Sequence, residues 1–190
     1  MPAIYDTVVI ALGAVVLCLA VSIWAGYAFS RYRFRGADLF YDGLLIVRMI
    51  PMISLAIPFF MLFRQYGLLD THIGVSLLHA TIQLPFGVWV MKGFFDTVPK
   101  EIDEAATIDG ASFIERFFRI ELPLAAPGVS VVACLVFLFS YIEYMGALII
   151  SRGHIQTIPL FISALLIGGH RQFWNEMAAA SLISMIPLIF

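Results

Sequence analysis

Two single charges stand inside long apolar runs, Arg48 in "FYDGLLIVRMIP" and Glu143 in "FLFSYIEYMGALII". An ionisable side chain at such a position is costly in lipid and is a functional candidate by default, as part of a polar pathway, as a gate, or as one half of a buried pair. Arg48 has a long reach, so a direct or water-bridged contact with Glu143 is one reading of the two. Tyr141 and Tyr144 flank Glu143 and add hydroxyls and ring faces, or serve as interface aromatics. A third concentration of polar groups is the stretch 101–123, "EIDEAATIDGASFIERFFRIELP", with Glu101, Asp103, Glu104, Asp109, Glu115 and Glu121 against Arg116 and Arg119. Other chemistries lack their residue sets. His72, His79, His154 and His170 form no H-x-x-x-H or Cys/His cluster, so a metal site is not expected. No Gly-x4-Gly-Lys-Ser/Thr loop occurs, and no nucleophile–base constellation is visible, so an enzyme is not expected. Cys18 and Cys134 lie in apolar runs and read as small core residues.

The elements that position these groups follow from composition. The 190 residues are 62% hydrophobic and 13% charged, against roughly 25% charged in soluble domains. A chain this poor in charge cannot cover a soluble surface, and its apolar runs are continuous rather than alternating. The expected class is all-α, a polytopic membrane helix bundle. The runs are Val8–Phe29, Phe40–Phe63 (interrupted by Asp42, Arg48, Pro51 and Pro58), Gly74–Phe95, Ala125–Ile150, and a last one from Met177 to Phe190 that is short of the ~20 residues of a full span. Five spans with the last incomplete are therefore expected, in a single domain over 1–190. Loop cations orient them. Arg31, Arg33, Arg35, Lys92, Lys100, Arg116 and Arg119 fall on one side, and Arg64, Arg152 and Arg171 on the other. The N-terminus is then outside, and 31–38 and 96–124 are cytoplasmic. On this count Arg48 lies roughly 15 Å beyond the cytoplasmic loop, and Glu143 roughly 24 Å from the cytoplasmic end of its span.

The acidic stretch has its own grammar. Pro99 suits the start of a helix, and Glu101, Asp103 and Glu104 complement the dipole of its first turns. Asp109-Gly110 is a stop with Gly at the left-handed position. Ser112-x-x-Glu115 is a capping box that opens a second helix, with Glu115 and Arg119 paired at i,i+4 and Leu122-Pro123 as its end. A hook of two short helices is expected. It reads either as an ordinary amphipathic loop on the membrane surface or as a docking element. Its net acidity favours a protein partner, since lipid-surface helices usually carry Lys and Arg.

Glu104-Ala105-Ala106, three residues, Gly110, nine residues, Ile120, one residue and Leu122-Pro123 resemble the EAA signature of the permease subunits of binding-protein-dependent ABC importers. "VPKEIDEAATIDGAS" is similar to the sugar-importing branch, specifically the second permease of maltose-type systems. "GYAFSRYRFRG", "RMIPMISLAIPFFMLFRQYGLLDT", "ELPLAAPG" and "MAAASLISMIPLIF" agree with it, so the likeness extends over nearly the whole chain. The resemblance implies an ABC importer type I permease fold and a place in a prokaryotic cytoplasmic membrane. Its implied partners are a cytoplasmic ABC ATPase dimer, a second permease in a heterodimer, an extracytoplasmic solute-binding protein and membrane lipid, with no nucleic acid. It implies no cofactor on this chain, ATP being bound by the ATPase subunit.

By the same resemblance the loop 96–124 is the coupling loop, with Glu104, Ala105, Ala106, Asp109, Gly110 and Ala111 at the ATPase. Glu104 would pair with a basic residue there. Members of the family have six spans, so this chain is expected to be a fragment that lacks the first span and the C-terminal tail. Relatives carry Trp-Asn-Glu where this chain has Tyr141-Ile142-Glu143, so Glu143 is kept while an amide is lost. Arg48, Tyr141, Glu143 and Tyr144 are the pathway or gating candidates. In the outer loop, residues 158–167 are expected to form a short apolar helix. The tip after Gly168-Gly169 offers His170, Arg171, Phe173 and Trp174 to the binding protein. A sugar is the expected solute, with glycerol-phosphate or another small polar solute as the alternative. An ion-coupled secondary transporter is the reading from another class, and the acidic hook counts against it.

Overall fold

A computed structural model describes residues 2–167 and 174–189, and among them the chain is helical with no β-strand. In chain order the helices are α1 (Pro2–Arg31), α2 (Ala37–Arg48), α3 (Met52–Gln65), α4 (His72–Thr97), α5 (Lys100–Ile108), α6 (Phe113–Arg116), a π turn (Phe117–Glu121), α7 (Leu122–Leu124), α8 (Ala126–Tyr141), α9 (Met145–Ile150), α10 (Ile158–Ile167) and α11 (Trp174–Ile189). Two of them, α1 and α4, are by themselves long and apolar enough to cross a membrane. The pairs α2 with α3 and α6–α7 with α8 pass the same test only when each broken pair is taken together.

Two of the apolar runs are broken inside, the first at one of the prolines that interrupt it in sequence. The run Phe40–Phe63 divides at Met49–Pro51. Pro51 is extended (φ −60°, ψ 132°) and lacks an N–H, so α2 stops before it, while Pro58 is carried inside α3. The run Ala125–Ile150 divides at Ile142–Tyr144, between α8 and α9. The last apolar run lies in α11. The expected stop at Leu122-Pro123 is displaced. The chain passes through the π turn into α7, and the sharp bend, 67°, comes at Ala125. Pro123 sits in the first turn of α7, where a missing N–H is tolerated.

The chain groups into two compact units, one of residues 1–14, 50–80 and 137–190, the other of 15–49 and 81–136. In the first, Ile10, Ala11, Ala14, Phe63, Val75, Leu78, Ala147 and Ile150 are buried. α3 packs on α9 and α10 on α11. Ser76 Oγ donates to the Ile10 carbonyl at 3.2 Å, joining α4 to α1. Segment 151–158 is held by side chains from elsewhere in this unit. Asp70 accepts from the N–H groups of His154 and Ile155, both at 3.0 Å. Asp6 accepts from Gln156 N–H at 3.0 Å, and Thr7 Oγ1 from Ile158 N–H at 2.8 Å. Asp6 also lies 2.9 Å from His72 Nε2. Burial alone would raise the Asp70 carboxyl, but the backbone N–H groups of Arg152, Ile155 and His154 bring it below its ordinary value.

In the second unit, Cys18, Tyr27, Val88, Met91, Phe95, Val98, Phe117, Val132 and Val136 form the core. α1 meets α4 at small residues: a methyl on Gly26 would come within 2.6 Å of Met91 Cβ, so only Gly permits that approach. α2 buries no side chain.

Candidate functional site

The hook is built by local sequence. Pro99 precedes α5, and Glu101 and Asp103 occupy its first turn. At the other end Gly110 has φ +81°. Gly110 N–H reaches the Thr107 carbonyl at 3.1 Å, and Ala111 N–H reaches the Ala106 carbonyl at 3.0 Å. That pair of bonds is the Schellman closure, which satisfies carbonyls α5 would otherwise leave open. Ser112 then caps α6. Its Oγ accepts from Glu115 N–H at 3.3 Å, while its own N–H donates to Glu115 Oε2 at 3.1 Å. The Ser112 backbone N–H, then its hydroxyl and the Arg119 charge, hold the Glu115 carboxyl below its ordinary value. Arg119 Nη1 lies 3.4 Å from Glu115 Oε1.

A strut joins the two arms. Arg116 Nε of α6 lies 3.3 Å from Asp103 Oδ1 of α5, and the same guanidinium donates to the Thr107 hydroxyl. The surface of the hook is thereby set. Glu104, Ala105, Asp109 and Gly110 are exposed, Ala111 is half-buried, and Ala106 is buried in the chain's own packing. Ile108 stands 87% exposed next to Asp109, an apolar knob at the tip that the sequence reading did not single out.

The roots of the hook converge on one cation, also missed from the sequence. Arg31, the last residue of α1, donates Nε to Glu121 Oε1 at 2.9 Å and Nη2 to Glu121 Oε2 at 2.7 Å, and Nη2 reaches the Val98 carbonyl at 3.0 Å. The Arg31 and Glu121 side chains are 6% and 1% exposed. Beside the pair, Trp24 stacks on Phe117 with centroids 4.1 Å apart, and Tyr27 packs edge-on against Phe117 and Phe95. In sequence Arg31 is one of several loop cations and Glu121 one of several hook acids. The only available signal was that each adjoins a strongly aromatic stretch.

The charges in the apolar runs have distinct settings. Glu143 lies between α8 and α9. Its carboxylate accepts from Gly146 N–H at 2.9 Å and Ala147 N–H at 3.3 Å, capping α9. Its Oε2 is 3.1 Å from His79 Nε2, and His79 Nδ1 is 2.7 Å from Ser140 Oγ. Glu143 therefore has a histidine partner on α4, which spacing in the sequence does not single out. Arg48 ends α2, exposed, with its guanidinium 4.7 Å over the Phe86 ring. Tyr141 is buried and donates to the Ser184 carbonyl of α11 at 2.8 Å. Tyr144 is half-buried and lines a cavity of about 640 Å³ with Tyr141, Ser163, Ser181 and Met185. Trp174 is exposed at the start of α11. His170, Arg171 and Phe173 lie outside the described residues.

Residues 18–190 match the family model for the binding-protein-dependent transport system inner membrane component. The chain is 36% identical over 186 residues to the trehalose/maltose transport system permease protein of Thermococcus litoralis, covering 97% of this chain and 66% of that protein. It is 34% identical over 184 residues to the maltodextrin transport system permease protein of Bacillus subtilis, covering 96% and 66%. It thus spans just under two thirds of the length of these relatives. In architecture it resembles a chain of a bacterial ABC transporter involved in the import of the acidic polysaccharide alginate, with a TM-score of 0.79 at 23% identity, over 99% of this chain and 71% of that one. The matched family model, together with relatives this similar over nearly all of its residues, places the chain in the family of binding-protein-dependent transport system inner membrane components.

Proposed function

We propose that the full protein is the membrane-spanning permease subunit of an ATP-driven importer for sugars or related small carbohydrates, and that it forms half of the translocation pathway. The hook carries this reading. The facing ends of its two arms are closed, α5 by the Gly110 turn and α6 by the Ser112 capping box, and Arg116 cross-links them, while Glu104, Ala105, Asp109 and Gly110 stay at the surface. A stiff, acidic, surface-presented element transmits force to a partner, which an unstructured loop does not. Its partner is a cytoplasmic ABC ATPase dimer that binds the ATP, and Glu104 pairs with a cation of that subunit. A second permease completes the pathway, and the exposed apolar residues of α2, among them Leu39, Phe40 and Ile46, suit a second subunit or lipid. A solute-binding protein outside delivers the substrate, with His170, Arg171, Phe173 and Trp174 as its contact. The setting is the cytoplasmic membrane of a prokaryote. The trehalose, maltose and maltodextrin named for the two relatives point to an oligosaccharide.

The test is uptake by cells lacking their own carriers that express the full-length protein with its neighbouring transport genes. Labelled maltose, trehalose, maltodextrin and glycerol 3-phosphate are offered singly. Accumulation of one of the sugars, abolished by an inactive ATPase, is the expected result. Accumulation that persists without the ATPase and follows an ion gradient would identify a secondary carrier instead.

A further inference from the structure

Arg31 touches both roots of the hook. Val98, whose carbonyl it binds, directly precedes the Pro99 cap of α5, and Glu121 ends the π turn by which the chain leaves the hook. Everything between, 99–120, is therefore bracketed by one guanidinium at the end of α1. We propose that Arg31 is a positioning residue for the coupling step, tying the hook to α1 so that the two move as one piece. The proposal rests on the reading of the hook as the ATPase-docking element.

The chemistry explains why these residue types are used. A guanidinium is planar and can offer Nε and Nη2 to a carboxylate as parallel donors while turning another N–H to a third group, whereas an ammonium cannot hold that geometry. Arg31 is also the final residue of a 30-residue helix, where the dipole favours a cation. The carboxylate is brought to it by the π turn, whose wider winding sets Phe117 and Glu121 both inward. Burial makes the contact all-or-none, because a charge withdrawn from its partner at this depth is strongly unfavourable. Stability alone would be served as well by an apolar pair of similar volume. The ion pair adds a fixed direction and distance between the end of α1 and the hook. The Trp24–Phe117 stack and the edge contacts of Tyr27 extend the same join along α1.

The experiment uses the full-length permease assembled with its ATPase and second permease, with Cys134→Ser as background, since Cys134, unlike Cys18, is not the core residue expected from its apolar run but is exposed. A cysteine placed at Val16, 66% exposed on α1, reports movement of α1 through its reactivity in resting and vanadate-trapped complexes. Co-purification of the ATPase reports docking of the hook. The wild type should show different reactivities in the two states. Arg31→Met and Arg31→Lys should keep the ATPase bound while the trapped-to-resting ratio falls to one or, for Lys, toward it. The double change Arg31→Met with Glu121→Met leaves no unpaired buried charge, and it carries the test where the single change does not insert. A wild-type ratio in that double variant overturns the proposal. If the Arg31 variants keep the wild-type ratio while Glu104→Lys abolishes it, the positioning role fails and the coupling reading stands. If Glu104→Lys also leaves docking and ratio intact, the coupling reading falls, and the proposal with it.

Discussion

Glu143 caps α9 and faces His79 of α4 at 3.1 Å, so a single carboxylate both starts a helix and joins it to a neighbour. Only Ile142–Tyr144 separate α8 from α9, and a break inside an apolar stretch must satisfy its open N–H groups internally. Glu143 does so for Gly146 and Ala147.

Replacing Glu143 by Ala removes this cap, typically worth about 1 kcal/mol, and leaves the 1%-exposed His79 side chain without its carboxylate, a further loss of about 1–3 kcal/mol. The thermal unfolding midpoint of the purified permease in detergent should drop. Adding His79→Leu to Glu143→Ala should cause less further loss than His79→Leu does alone. Strictly additive losses in that cycle would mean the two side chains act independently.

Gly110 holds φ +81° and donates to the Thr107 carbonyl. Gly110→Ala strains the turn by about 1–2 kcal/mol, and Gly110→Pro also removes the donor and excludes the left-handed conformation. Uptake should be reduced in the first and abolished in the second, with membrane insertion unchanged on immunoblots. Glu104→Lys, at an exposed site with the charge reversed, should also abolish uptake. Wild-type transport by Gly110→Pro would rule out a rigid hook.

The capping box should be pH-dependent. The Glu115 carboxyl is held below its ordinary 4.5 by the Ser112 N–H, the Ser112 hydroxyl and Arg119. A depressed carboxyl contributes fully above its unfolded-state value, and the contribution disappears as pH falls through the lower folded value. Amide protection in α6 should therefore hold from pH 7 to pH 5 and decline below about 4.5. Ser112→Ala should lower protection at pH 7 and flatten this decline. A decline equally steep in Ser112→Ala would assign it to another group.

Orientation can be read in intact cells with an impermeant thiol reagent. Cysteines introduced at 168–175 should be labelled and those at 100–121 should not. Labelling at Ser112→Cys would invert the topology.

Much of this was legible in the residues because it depends on near neighbours. A chain with 62% hydrophobic and 13% charged residues had to be a membrane helix bundle. The start of the hook and its turn were legible nearly to the residue, since Pro99, Gly110 and the Ser112–Glu115 box act through bonds no more than five residues apart, whereas its exit through the π turn was not. The breaks in the helices were less legible. Hydropathy treats Met49–Pro51 and Ile142–Tyr144 as parts of continuous apolar runs, whereas backbone geometry and the Glu143 cap divide them. What the tertiary structure alone decided is which charges meet. Arg31 and Glu121 are 90 positions apart, and His79 finds Glu143 far along the chain, on the other side of the hook. One-dimensional charge order cannot rank such pairings, because every hook acid is an equal candidate for every loop cation. The choice is made by the close approach of α1 to α4 at Gly26, by the π turn that turns Glu121 inward, and by the high cost of leaving either buried charge alone.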